Sequence, residues 1–284
     1  MSALTLLPAG AAEAPARAAR PKPRATLVVA VLVLAVALAW AFLPWLFTSQ
    51  DPIAGVAAEA LQAPSAAHPF GTDATGRDLL ARVIFGAGNS LAGAAIAVLV
   101  GLVVGTALGV LAGSVGGLVE DAVMRVVDVL LAIPGLLLAL SVIVLLGFGV
   151  TNAAIAVGVT SIAVFARLSR SQVVRVRRSD YVEAAFGSGG TFLAVLGRHV
   201  LPNSLGAVLA LAALQFGSAI LAISTLGFLG YGAPPPTPEW GLLIAESRDY
   251  VATSWWLTTL PGVVVAAVVL AANRVAAAIR EATA

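Results

Sequence analysis

Apolar residues run along this chain in long blocks, and polar residues gather in the seams between them. The blocks fall at residues 26–47, 90–112, 126–146, 152–165 (running on to Arg167 and Arg170), 205–229 and 254–272. Most approach the roughly 20 residues that an α-helix needs to cross a hydrocarbon layer about 30 Å thick. None shows the alternation over about ten residues that marks a membrane-spanning strand. In lipid only helices and closed barrels satisfy every backbone polar group. The pattern therefore predicts an all-α membrane protein with six transmembrane helices, TM1 to TM6.

The seams give each span its expected limits. Residues 1–25 are rich in Ala and Pro and carry Arg17, Arg20, Lys22 and Arg24, which reads as a flexible cytoplasmic tail. Residues 26–47 form TM1. A secretory signal peptide also places a basic stretch before an apolar one, but this run is longer than the usual 7–15-residue core and lacks a clear small-residue exit site. Residues 48–87 read as an external loop, with a short amphipathic helix from Arg77 to Phe85. Residues 88–275 hold the core, TM2 to TM6. In TM2, Gly101, Gly105, Gly109 and Gly113 recur every fourth residue on one helix face. Such faces let membrane helices approach closely. Pro134-Gly135 inside TM3 predicts a kink. Residues 230–253 form a second external loop, stiffened by Pro234-Pro235-Pro236 and Pro238. Trp255 and Trp256 open TM6 as an interfacial belt would. Residues 276–284 are expected to be a second cytoplasmic tail.

Composition and charge narrow the classes. Of 284 residues 60% are hydrophobic and 11% charged, against roughly 45–50% and about 25% in soluble domains. The mean hydropathy of +1.00 excludes a soluble enzyme. With no cysteine and two histidines far apart, His68 and His199, no metal centre is expected. The 16 basic residues decide orientation: with both termini inside, only Arg77, Arg82 and Arg248 lie outside, leaving 13 in the cytoplasm. The spans bury almost no ionisable residue. Asp128 and Arg167 stand near helix ends and read as interfacial anchors. A proton-driven carrier or a membrane metalloprotease would need buried acids or histidines, so another driving force is required.

The segment over residues 175–203, RVRRSDYVEAAFGSGGTFLAVLGRHVLPN, is the longest without membrane-spanning character. Ser179 or Asp180 is placed to cap a helix at YVEAAF, and Glu183 follows Asp180 at capping-box spacing. Gly187, Gly189 and Gly190 then break that helix. A short capped helix between bends, with arginines upstream, suits docking to a cytoplasmic partner; an ordinary basic loop is the plain alternative.

The same segment resembles the EAA loop of bacterial ABC importer permeases. Glu183-Ala184-Ala185 is followed after three residues by Gly189, and after nine more by His199-Val200-Leu201-Pro202. Further segments resemble the C-type permease subunit of the dipeptide/oligopeptide/nickel branch. They are His68-Pro69-Phe70-Gly71-Thr72-Asp73 with Gly76-Arg77-Asp78, Met124 to Asp128, Leu226 to Gly230 with Gly232, and Pro235 to Gly241. The likeness spans roughly residues 26–275. It implies the type I importer permease fold with both termini in the cytoplasm. It also implies a second homologous permease, two ATPase subunits or one fused ATPase, an external substrate-binding lipoprotein, and a di- or oligopeptide as cargo. ATP and Mg would be held by the ATPases and no cofactor by this chain, which has no phosphate-binding GxxxxGK[ST] loop. No nucleic-acid partner is implied.

By that resemblance the coupling residues are Asp180, Tyr181, Glu183, Ala184, Ala185, Phe186, Gly189, His199, Leu201 and Pro202. The surface that receives the binding protein takes His68, Gly71, Thr72, Asp73, Gly76, Arg77, Asp78, Pro236, Glu239 and Trp240. Trp240 is either a packing anchor or a substrate contact. Glu239, Glu246 and Asp249 are expected to be solvated or paired with Arg248, with a contact to a peptide's amino group as the alternative. Gln215 and Ser218 are the candidates for the translocation path. Phe186 replaces the usual basic residue, GSGG replaces a Gly-Ala-Ser type, and the C-terminal Gly-Asp-Gly-Leu-Arg-Asp run is absent. Nickel chelates, haem and glutathione remain open as cargo, and a membrane scaffold or receptor remains open as a different class.

Overall fold

The computed structural model describes residues 24–283. The tail expected over residues 1–25 lies almost wholly outside the described residues. Ten α-helices are present among them: α1 (Arg24–Phe42), α2 (Leu79–Val115), α3 (Gly117–Ala132), α4 (Gly135–Leu146), α5 (Val150–Arg177), α6 (Asp180–Gly187), α7 (Phe192–Val195), α8 (Leu201–Phe228), α9 (Trp240–Glu246) and α10 (Trp256–Thr283). A π-helical turn, Leu196–Val200, joins α7 to α8.

α2 departs most from expectation. The short helix expected at Arg77 to Phe85 is its first part, and the whole helix has 37 residues. At about 1.5 Å per residue it is roughly 55 Å long, well beyond the hydrocarbon thickness. Nothing between Leu79 and Ser90 stops it. Asp78 caps its start, its carboxylate accepting from Ala81 N–H at 2.7 Å. α10 likewise continues to Thr283, so most of the expected tail over residues 276–284 is helix.

The glycines of α2 meet the backbone of α5. A Cβ on Gly101 would stand 2.7 Å from Ser161 Cβ, and one on Gly105 would stand 2.5 Å from Ile162 O. One on Gly109 would collide with Ala166 O, and one on Gly113 would stand 3.0 Å from Arg170 O. Gly158 of α5 returns the fit, with Val100 Cβ 2.7 Å from the Cβ position it lacks. Rising numbers on α2 meet rising numbers on α5, so the two helices run parallel.

That direction settles the third crossing. Pro134 cannot donate a backbone N–H, and it forces Ile133 into an extended conformation. The expected kink is therefore a full break, with α3 and α4 at 99° to each other. Because α2 and α5 run the same way, the chain between them must return across the bilayer. α3 and α4 are thus one broken span, which makes six crossings with the five unbroken helices. A core of Ala, Val, Leu and Ile lies where α2, α5, α8 and α10 meet, with Trp240 at its external end. α1 touches it through small residues such as Ala37, while Val28, Val29, Leu32 and Leu38 stay exposed, as a lipid face requires.

Gly109→Val is expected to force α2 from α5, because the opposing atom is backbone and cannot rotate away. Overpacking commonly costs about 1–3 kcal/mol, more where nothing yields. The thermal midpoint of the detergent-purified chain should fall sharply, whereas Gly135→Ala, with open space around it, should leave it nearly unchanged.

Candidate functional site

Two surfaces gather the residues singled out by sequence. The first is the insert between α5 and α8. α5 runs to Arg177 and α8 starts at Leu201, so residues 178–200, within the 175–203 segment, form the insert between these two helices. α6 stands off the end of α5 as a peg. Its inner side is anchored by Val182, fully buried with Val173, Val176, Val195 and Val200. Asp180, Tyr181, Glu183, Ala184 and Phe186 are exposed on it, and Ala185 is half-buried. Ser188 ends the helix and Gly189 turns the chain at φ +88°. Glycine is well suited to that left-handed region.

The expected capping box does not form. Ser179 occupies the N-cap position, but its hydroxyl donates to Val176 O at 2.5 Å, three residues back, and no side chain accepts from the helix start. Asp180 and Glu183 still place negative charge in the first turn, where the helix dipole favours it. Phe186, Phe192 and Leu193 give the peg an exposed apolar rim. His199 and Leu201 are half-buried and lie in the ascent to α8, and Pro202 occupies its first turn.

Polar contacts near the peg fasten α5 to its neighbours. Arg177 Nη1 donates to Gly113 O at 2.8 Å, capping a carbonyl in the last turn of α2. Arg170 Nε donates to Glu120 Oε1 at 2.6 Å, and Arg167 pairs with Asp128, both on α3. Asp128 and Arg167 are therefore partners of each other, which adjacent reading of either helix did not reveal.

The second surface is at the opposite end, where the loop before α2 packs on α9. Its residues divide by burial. Thr72, Glu239 and Trp240 are wholly buried, and Gly71, Gly76, Asp78 and His68 nearly so. These seven lie behind the surface that they were expected to form. Of the rest, Pro236 is exposed, and Asp73 and Arg77 are partly so. Trp240 is a packing anchor: its indole Nε1–H donates to Val83 O at 2.9 Å within the core. Trp256 also turns inward, against Gly71, while Trp255 faces out.

Glu239 is neither solvated nor paired with Arg248. It caps α9, accepting from Gly241 N–H and Leu242 N–H at 2.9 Å each, and Ser90 Oγ lies 3.3 Å away. Gly227 and Gly232 leave the space that its carboxylate fills. Burial raises its pKa above the ordinary glutamate range, and the hydrogen bonds from Gly241, Leu242 and Ser90 only partly oppose that. Glu246 turns to Arg82, which is fully buried and donates to it at 2.9 Å; Asp73 lies 3.6 Å from the same guanidinium. Asp249 alone pairs with Arg248, at 3.6 Å. Burial pushes Asp73 up, but bonds from Arg77 and Thr75 and the Arg77 charge outweigh it, so its pKa is lowered. His68 Nδ1 lies 2.9 Å from Asp78 Oδ2, tying the loop to the start of α2.

Of the two path candidates, Ser218 is exposed and Gln215 half-buried. Ser218 shares its face of α8 with Leu211, Leu214 and Thr225. Three cavities open along this side of α8. One, of about 550 Å³, lies towards the peg. A second, of about 360 Å³, lies between α4, α5 and α8 and includes Thr160 and Thr225. A third, of about 300 Å³, also reaches Thr225 and lies between α8, α9 and α10. No group of three or more His, Cys, Asp or Glu suited to a metal occurs among the described residues.

Residues 105–283 match the family of binding-protein-dependent transport system inner membrane components. The chain is 37% identical to a dipeptide transport system permease protein DppC of Alkalihalophilus pseudofirmus, over 78% of this chain and 73% of that one. It is 38% identical to a probable D,D-dipeptide transport system permease protein DdpC of Escherichia coli, over 78% and 74%. It is 40% identical to a glutathione transport system permease protein GsiD of Shigella flexneri, over 77% and 72%. Among solved structures, an inward-facing conformation of the MetNI methionine ABC transporter superposes with a TM-score of 0.59 at 19% identity, covering 72% of this chain and 96% of that one. The fold is that of an ABC importer permease. The chain belongs to the family of binding-protein-dependent transport system inner membrane components, and it is a multi-pass protein of the bacterial cytoplasmic membrane.

The two external carboxylates predict opposite pH effects. Asp73, with a lowered pKa, stabilises the fold above the ordinary aspartate range, and that contribution is lost as pH falls through its lowered value. Glu239, with a raised pKa, favours the fold at acid pH, and its contribution is lost as pH rises from the ordinary glutamate range through its raised value. Glu239→Gln keeps an oxygen to cap α9 and should remove only the second loss. Thermal midpoints of wild type and variant across pH will show this; parallel curves would mean that Glu239 ionises without penalty.

Proposed function

We propose that this chain is a transmembrane subunit of an ATP-driven importer of di- or oligopeptides, coupled to separate ATPase subunits through α6. The observation that carries the coupling is the peg itself. It is exposed on its outer side, anchored by Val182, and linked through α5 to the α2 carbonyl that Arg177 caps. The cargo class rests on the relatives, named as dipeptide, D,D-dipeptide and glutathione permeases. The start of α1, the end of α10 and the peg would lie in the cytoplasm, as the distribution of basic residues favours. Asp180, Tyr181, Glu183, Ala184 and Phe186 would contact an ATPase. ATP and Mg would be held there, with this chain doing no chemistry. A second homologous permease would complete the channel and an external binding lipoprotein would deliver cargo. The exposed Pro234 to Pro236 and the partly exposed Asp73 and Arg77 supply surface for that lipoprotein. A push on the peg would travel as movement of packed helices rather than as local bending.

Deletion of Glu183 to Gly189 in the assembled importer should abolish peptide uptake and its coupling to ATP hydrolysis, while a receptor that merely docks here would keep its ligand-dependent output. Uptake persisting in the deletion would refute the role given to the peg. Orientation can be tested directly because the chain has no cysteine. Thr75→Cys should react with an impermeant thiol reagent on intact cells, and Ser188→Cys only after permeabilisation; the reverse pattern would invert the topology.

A further inference from the structure

The cavity of about 550 Å³ near the peg is lined by α5, α8 and α10. Leu168, Leu211 and Leu214 form apolar wall, and Arg175, Asn203 and Arg280 supply the polar groups. No acidic side chain lines it. On α5, Arg167 and Arg170 are each committed to a carboxylate of α3. Arg175 is exposed and belongs to none of the ion pairs among the described residues. Packing fixes the depth of the site. α8 descends from Ile223, against Gly93 of α2, to Asn203 at the peg end, and Val173 beside Gly113 brings α5 to the same end. The leucines therefore lie within the bilayer and the guanidinium groups at its cytoplasmic edge.

The cavity continues a face with a polar thread. Above it on α8 come Ser218 and Thr225, and the second cavity adds Thr160 of α5. The exposed face of α1 is mainly aliphatic, with Val28, Val29, Val31, Leu32, Val36 and Leu38, and its one exposed polar side chain among the described residues, Thr26, lies in the first turn. Ionisable groups along a span mark a solute route by default, and Arg175 supplies one here. Whatever its side chains, every unblocked peptide ends in a carboxylate. Guanidinium matches a carboxylate in charge and in planar geometry.

We propose that this cavity is the cytoplasmic exit of the solute route, and that Arg175, with Asn203 beside it, receives the terminal carboxylate of the transported peptide. The proposal rests on the peptide-import reading and adds the end of the peptide that the exit recognises. Arg175 acts as a binding residue. With no acid lining the cavity, the ammonium terminus finds no partner there.

The test uses the complete importer in proteoliposomes with the cytoplasmic side accessible, and Ala207→Cys as reporter within the cavity. Trialanine should slow labelling of this cysteine several-fold, and trialanine amide should not. Adding Arg175→Gln should abolish the protection, and Arg175→Lys should restore part of it. Equal protection by both peptides, or by neither, would overturn the proposal. Protection that survives Arg175→Gln would also overturn it, as would protection that tracks the acidic-lipid content of the vesicles rather than the peptide. ATP-driven release of trialanine loaded in the lumen of the same vesicles, with the binding lipoprotein enclosed there, separates the two levels. Release without differential protection removes only the carboxylate site, whereas absence of release removes the import reading on which it stands.

Discussion

The close approach of α2 to α5 is the constraint on which the other elements depend. Side chains normally hold helix axes 8–10 Å apart. Here four glycines on α2 and Gly158 on α5 remove them, and backbone meets backbone over several turns. Without a hydrophobic force between helices in lipid, such packing is a main source of cohesion. It also fixes direction. A parallel α2–α5 pair obliges α3 and α4 to cross the bilayer between them, and Pro134 lets them do so with a sharp break. α8 then packs against α2 and α5, and α1 remains at the periphery.

The same pair gives the peg something rigid to act on. Val182 and Val195 pack into the end of α5 beside Val173 and Val176, with Val110 of α2 against the same cluster. Arg177 closes α2, and Arg170 reaches Glu120 on α3. A force on α6 therefore meets packed valines and charge-assisted bonds, not a slack loop. At the other end the buried Arg82 with Glu246, and Glu239 at the start of α9, hold the external plate on α2. Arg82 is fully buried and Glu246 partly exposed, so removing the acid would leave a buried guanidinium short of a partner, and the pair ties this plate to α2.

Local signals made much of this legible. The fourfold glycine spacing announced the close face, Pro134 the interruption of the third span, and the glycines after Phe186 the end of the peg. What escaped depended on distant partners. Glu239 in a proline-rich loop read as solvated, because its neighbour Ser90 lies 149 residues away. Arg82 gave no hint of Glu246, which is 164 residues away. The capping box failed for a nearer reason: the Ser179 hydroxyl found Val176 O within its own turn. The size of the break at Pro134 was also hidden, since a proline removes a bond but neighbouring helices decide how far the chain then turns. Burial of Thr72, Asp78, Glu239 and Trp240 shows that several residues of the external motif build the plate and leave its outer contacts to others.

The central claim is that the peg, α5 and α2 move as one body. The direct measurement is a distance between spin labels at Ser171→Cys on α5 and Ser188→Cys at the end of α6, in the assembled importer with and without ATP. An unchanged, narrow distribution in both states, while uptake proceeds, is the predicted result. A shift of several ångströms or a marked broadening on ATP binding would show that the peg flexes against α5, and would contradict the account.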